Sequence, residues 1–185
     1  MPQLVGILAL QGGFAAHAKV LRSLGAEPRE VRVPADLEGL DALIIPGGES
    51  TVMTLGVERE GLAEPLRALA RGGTPVLGTC AGMIMLDREH LGVLDIRTSR
   101  NAFGRQLHSF EADLELDGLD EPVHAVFIRA PWVAEHGPEV EILARVGEHP
   151  VAIRQGNVLA VSFHPELAGE SRLHEMLLGM NGDRT

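Results

Sequence analysis

Three apolar runs, QLVGILAL at 3–10, DALII at 41–45 and PVLG at 75–78, each stop at a glycine-bearing segment, and this repetition constrains the fold more than any other feature. A run without polar alternation has no face to give to water. It belongs inside a parallel sheet covered by helices on both sides. The intervening segments agree: Phe14 to Leu24 repeats apolar residues at near-helical spacing and stops at Gly25, and Leu62 to Ala70 does the same before Gly72-Gly73. Glu30 to Val33 reads as a further short strand, and Ser50 or Thr51 as the cap of the helix that follows Pro46-Gly47-Gly48. Strand and helix alternate, which predicts an α/β fold: an open, doubly wound, mostly parallel sheet with helices on both faces.

The second half changes character. Ser109 to Leu116 alternates apolar and acidic residues, and Val123 to Ile128, Val140 to Val146, Val151 to Ile153 and Val158 to Phe163 add short β-like runs. These predict an antiparallel β addition to the sheet, closed by a helix over Leu173 to Met180 and a frayed end. With no repeat or linker, residues 1–185 are expected to form a single domain. The 26 Asp and Glu outnumber 16 Lys and Arg, for a formal charge of −10, which disfavours nucleic acid and anionic lipid as partners. No apolar stretch approaches the roughly 18–20 residues of a spanning helix, and the start lacks a basic signal-peptide region, so a cytoplasmic protein is expected. One cysteine excludes an internal disulfide and any multi-cysteine metal site.

That cysteine sits in Gly78-Thr79-Cys80-Ala81-Gly82, after an apolar strand and before a helix-like segment, Met83 to Leu86. The G-x-C-x-G form suits a nucleophile elbow, whose sharp turn needs glycine on both sides and whose helix N-terminus favours thiolate. A lone cysteine elsewhere reads more simply as a small buried hydrophobe. A cysteine hydrolase also needs a base and a group to orient it. Phe163-His164-Pro165-Glu166 supplies both, since residues two apart in an extended segment project to one side. His17, His136, His149 and His174 lie in helix-like or polar stretches and read as solvated surface, while His90, His108 and His124 are left open. The loop Pro46 to Thr51 ends a strand at the same sheet edge as Cys80, and Gly47-Gly48 can turn backbone N–H groups into a cleft as an oxyanion hole. A phosphate-binding loop is the rival reading, but it lacks the P-loop lysine and Glu49 would repel phosphate.

Taken together, GTCAG at 78–82 and SFHPEL at 162–167 resemble the class I (triad) glutamine amidotransferases, whose sheet is flavodoxin-like. LALQGG at 8–13, PGGEST at 46–51, RNAFGRQ at 100–106 and FIRAP at 127–131 narrow the resemblance to the branch of glutaminase subunits that serve pyridoxal 5′-phosphate synthase. Met83-Ile84-Met85, where many other class I members have a glutamine, fits that branch. The resemblance implies that Cys80 is the nucleophile, His164 the base and Glu166 its orienter, and that Gly47, Gly48, Glu49, Arg100, Ile128 and Arg129 bind L-glutamine. The backbone N–H groups of Gly48 and Ala81 would form the oxyanion hole, and Gln11 would hold the glycine loop or touch a partner. It implies glutamine hydrolysis with ammonia delivered to a synthase subunit in a hetero-oligomer, chemistry that requires no metal and no organic cofactor. Two other readings stand beside it: a cysteine hydrolase of the intracellular-protease and stress-protein kind on a related fold, and a binding module with a dead site.

Overall fold

The computed structural model describes residues 1–100, 103 and 109–181. Most of the RNAFGRQ segment, with His108 and the last four residues, lies outside them. In chain order the elements are β1 (Leu4–Leu8), α1 (Phe14–Ser23), β2 (Glu27–Val31), β3 (Ala42–Ile45), α2 (Ser50–Arg59), α3 (Ala63–Arg71), β4 (Val76–Thr79), α4 (Ala81–Leu86), β5 (Ile96–Ser99), β6 (Ser109–Leu114), β7 (Val123–Ile128), β8 (Trp132–His136), β9 (Glu141–Val146), β10 (His149–Gln155), β11 (Val158–Val161) and α5 (Arg172–Met180). The main sheet has the order β2-β1-β3-β4-β11-β10-β9. Its first five strands are parallel, and β10 runs antiparallel to both β11 and β9.

The continuous apolar runs are explained by the two cores. Leu43 and Ile45 of β3, Val76 of β4 and Val158 and Ala160 of β11 face α2, α3 and α4, packing with Met53, Val57, Leu66 and Met83. Their neighbours Ala42, Ile44, Leu77, Leu159 and Val161 face the opposite side, packing with Ala18 and Leu21 of α1 and Leu173 and Leu177 of α5. Because side chains alternate along a strand, both faces must be apolar when both are covered.

The antiparallel addition is smaller than the sequence predicts. Only β9 and β10 join the main sheet, whereas β6 pairs with β7 and β5 with β8 as separate two-stranded sheets. β6 keeps one wet face, and Leu114, Val123, Ala125 and Phe127 cover the α1/α5 side of the molecule. The run from Val158 is instead a central parallel strand. β2 begins at Glu27 and contains Pro28, which its place at the sheet edge permits. The cap of α2 is Glu49, not Ser50 or Thr51: its carboxylate accepts the N–H groups of Thr51 and Val52 at 3.2 and 2.8 Å.

The carboxyl ends of β1, β3, β4 and β11, four neighbours, all open on one edge, where the chain reverses direction across the sheet between β1 and β3. Ligands in open α/β folds bind at such a reversal. Close packing there depends on glycine: a Cβ at Gly82 would lie 1.9 Å from the Ile45 carbonyl oxygen. Gly82→Ala is therefore expected to destabilise the chain, whereas Gly179→Ala, in α5 with open space around it, should stabilise it by up to about 1 kcal/mol. Urea unfolding of the two variants checks this contrast.

Candidate active site

Cys80 stands between β4 and α4 with φ 51° and ψ −110°. Among the described residues Arg129, at φ 46°, is the one other non-glycine with positive φ. Such backbone costs about 1–3 kcal/mol and persists only where its surroundings impose it. Here the Cys80 N–H donates to the Val161 carbonyl at 2.9 Å, and the Cys80 carbonyl accepts from the Met83 N–H at 3.0 Å. A Cβ at Gly78 would lie 2.8 Å from the Gly82 oxygen, so the two flanking glycines let the strand and the helix touch. The sulfur lies 3.7 Å from the Ile128 carbonyl oxygen, which can accept a hydrogen bond from it.

His164 leaves β11 with its N–H donated to the Val126 carbonyl at 2.8 Å. Its Nδ1 lies 2.7 Å from Oε1 of Glu166, which Pro165 starts on a short 3₁₀ turn. With Nδ1 engaged, Nε2 is left for the neighbouring Cys80. Burial opposes a charge on His164, but Cys80 and Glu166 outweigh it and push its pKa up to about 10. Burial likewise works against the Glu166 carboxylate, yet the hydrogen bond from His164 foremost holds it below the ordinary carboxylate range. Gly47 packs on both partners: a Cβ there would fall 2.5 Å from His164 Cε1 and 3.4 Å from Cys80 Cβ.

In front of the sulfur opens a cleft of ≈ 550 Å³, whose walls include Gln11, Gly48, Glu49, Ala81, Arg100 and Arg129. Two guanidiniums in one small cleft match a carboxylate ligand. Arg100 Nη1 donates to Thr51 Oγ1 at 3.3 Å. The Glu49 carboxylate is engaged in capping α2, and the Val52 and Thr51 N–H groups hold its pKa low. The Glu49 N–H donates to Gln11 Oε1 at 2.8 Å, which ties the end of β1 to the glycine loop. Gly48 in that loop has φ 153°. Ile128 contributes its carbonyl beside Cys80. All the sequence-predicted site residues thus gather at one sheet edge. Among the described residues no group of three His, Cys, Asp or Glu is arranged to hold a metal ion, and no helix is long and apolar enough to cross a membrane.

Two histidines contradict the sequence reading. His17 and His174 are fully buried behind Glu166, not solvated. His17 lies four residues before Leu21 on the inner face of α1, and His174 three before Leu177 on α5, so the apolar stripe of each helix carries the signal. His149 is half-buried and stacked on Trp132 at 3.5 Å, while His136 is exposed as expected.

Residues 7–181 match the model of the SNO glutamine amidotransferase family. The chain is 53% identical to pyridoxal 5′-phosphate synthase subunit PdxT of Mycolicibacterium vanbaalenii, over 94% of this chain and 95% of that one. It is 50% identical to the PdxT subunit of Deinococcus radiodurans, over 97% and 98%. A solved glutamine amidotransferase superimposes with TM-score 0.91 at 49% identity, covering 96% of this chain and 98% of its own. The structure of PurLQS from Thermotoga maritima, at 20% identity and TM-score 0.78, covering 96% and 98%, shares the fold.

The raised His164 pKa fixes a sign for stability. Its folded value of about 10 lies above the ordinary 6.5, so the contribution is full below pH 6.5 and is lost as pH rises toward 10. The stability difference between wild type and His164→Gln should narrow over that window in urea unfolding at stepped pH.

Proposed function

The chain belongs to the SNO glutamine amidotransferase family, and from that membership we propose that it acts as one glutaminase domain in which Cys80, His164 and Glu166 do the chemistry. It hydrolyses L-glutamine to L-glutamate and ammonia for the synthesis of pyridoxal 5′-phosphate. The observation that carries the residue assignment is the buried line from Cys80 through His164 to Glu166 at the foot of a cleft holding two arginines. A protease-like cysteine hydrolase is disfavoured by the relatives, and a dead binding module by the intact line.

In this mechanism the Cys80 sulfur attacks the side-chain carboxamide carbon. The tetrahedral oxyanion is met by the N–H groups of Ala81 and Gly48, donors worth about 3–4 kcal/mol each. His164, protonated at neutral pH, gives its proton to the departing nitrogen as the C–N bond breaks. Ammonia leaves and a glutamyl thioester remains. The now neutral His164, oriented by Glu166, takes a proton from water, whose oxygen attacks the thioester and releases glutamate and the Cys80 sulfur. Arg100 and Arg129 bind the α-carboxylate of the substrate, with Gly47, Glu49 and Ile128 shaping the site around it.

The ammonia passes to a synthase subunit in a hetero-oligomer. Ammonia is largely protonated near neutral pH and is then no nucleophile, so direct transfer protects it. α2 supports a docking role, since it starts at the glycine loop through its Glu49 cap and exposes Val52 and Leu55. A partner seated there would act on Gly48 and on the Gln11 contact, shifting the glycine loop from an idle to a productive orientation by its differential affinity for the two. A cytoplasmic location belongs to the same reading, because a lone nucleophilic thiol persists in a reducing compartment.

Glutamate release by the chain mixed with the synthase subunit tests the assignment. Cys80→Ala should abolish release while leaving the unfolding midpoint nearly unchanged, and near-native release by that variant would remove Cys80 from the mechanism. The same assay without the partner tests the loop: slow turnover that rises on adding a stoichiometric synthase subunit is expected, and full activity of the isolated chain would refute partner control.

A further inference from the structure

Behind the triad the line of polar groups continues. Glu166 has Oε1 on His164, while Oε2 points the other way and makes no conventional hydrogen bond among the described residues. What faces Oε2 is Nε2 of His17, at 3.5 Å, a nitrogen that also lies 3.3 Å from Thr79 Oγ1. Nδ1 of His17 in turn lies 2.9 Å from Nε2 of His174. Both rings are fully buried, and burial foremost holds each below the ordinary histidine range, His174 down to about 4.

Two neutral rings have one N–H each, so their tautomers can be deduced. A bare Nε2 on His17 would set a lone pair against a buried carboxylate oxygen. The proton of His17 therefore sits on Nε2, its Nδ1 accepts, and His174 must carry its own proton on Nε2 to donate there. His174 Nδ1 makes no conventional hydrogen bond among the described residues, and the backbone carbonyl of Glu170 acts on that ring from the α5 side. A proton on His17 Nε2 then faces both Glu166 Oε2, at 3.5 Å, and Thr79 Oγ1, at 3.3 Å.

We propose that His17, set by His174, is a positioning residue of the triad: its Nε2–H holds the second oxygen of Glu166, so that Oε1 stays on His164 and the carboxylate stays ionised through turnover. This rests on the glutaminase reading above. The charged and titratable groups around the pair are His164 and, beyond it, Cys80 on the triad side, and on the α5 side Glu170, whose carboxylate is tied to Arg172. None of these can replace the missing donor at Oε2. Without it, burial is less opposed and the Glu166 pKa rises, so activity should fail at a higher pH on the acid side.

The test compares His17→Phe, which fills the space without an N–H, with His17→Gln, whose amide carries an N–H near the Nε2 position, both assayed with the synthase subunit. His17→Phe is expected to lower kcat about ten- to hundredfold, the range of a hydrogen bond to a charged group. KM for glutamine should stay within about twofold, the acid limb of kcat/KM should move to higher pH, and His17→Gln should recover most of the rate. A wild-type kcat and pH profile in His17→Phe, or a lower kcat with an unmoved acid limb and no recovery in His17→Gln, would overturn the proposal. Nitrogen-15 NMR of the unsubstituted chain decides the matter even if the variants fail to fold. A neutral His17 protonated on Nε2 through the active pH range is expected, and a cationic His17 or one protonated on Nδ1 overturns it. Absence of glutamine hydrolysis by the wild-type complex would instead overturn the glutaminase reading and leave the tautomer result standing.

Discussion

The site depends on how closely backbones approach one another at the carboxyl edge of the sheet. Gly82 lies against the Ile45 carbonyl, Gly12 against the Gly47 carbonyl, where a Cβ would fall 1.8 Å from the oxygen, and Gly47 against the His164 ring. These contacts join the ends of β1, β3, β4 and β11 into one surface. Any Cβ in that series would push Cys80, the glycine loop or His164 out of line. The strained Cys80 backbone is held by the same packing, since the parallel pairing of β4 with β11 supplies the carbonyl of Val161 that fixes its N–H.

Electrostatics then decide what the assembled groups can do. A carboxylate almost fully removed from water would ordinarily be protonated, and a buried imidazole would ordinarily be neutral. Glu166 and His164 escape both outcomes because each offsets the burial of the other at 2.7 Å. His17 faces Glu166 only at 3.5 Å, and burial outweighs the carboxylate there as it does at His174, which keeps both rings neutral. Four histidine and carboxylate groups in one buried line thus divide into a charged pair next to the sulfur and a neutral pair behind it. The division follows from distance and packing rather than from residue type.

Much of this was legible in the sequence, for reasons that can be stated residue by residue. The unbroken runs at 41–45 and 75–78 disclosed buried parallel strands, and the glycines at 78 and 82 disclosed the elbow, because both are local demands of covalent geometry and burial. The spacing of His164 and Glu166 is also local. What stayed hidden was set by partners distant in the chain. His17 and His174 come together across 157 residues, and a polar residue type on a helix suggested solvent when the apolar stripe around it argued for burial. The separate pairing of β5 with β8 and of β6 with β7 likewise depends on which edges are already taken. Glu49 as the cap of α2 was missed because its motif directed attention to the substrate.

The central claim is that glutamine hydrolysis runs through a covalent bond to Cys80, and it is tested most directly by trapping that bond. The wild-type chain, mixed with the synthase subunit and turning over glutamine, is quenched in acid and its peptides are examined by mass spectrometry. A glutamyl adduct on the peptide that carries Cys80, absent when glutamine is omitted, is the predicted result. Continuing glutamate release with Cys80 unmodified, or an adduct on another residue, would contradict the account.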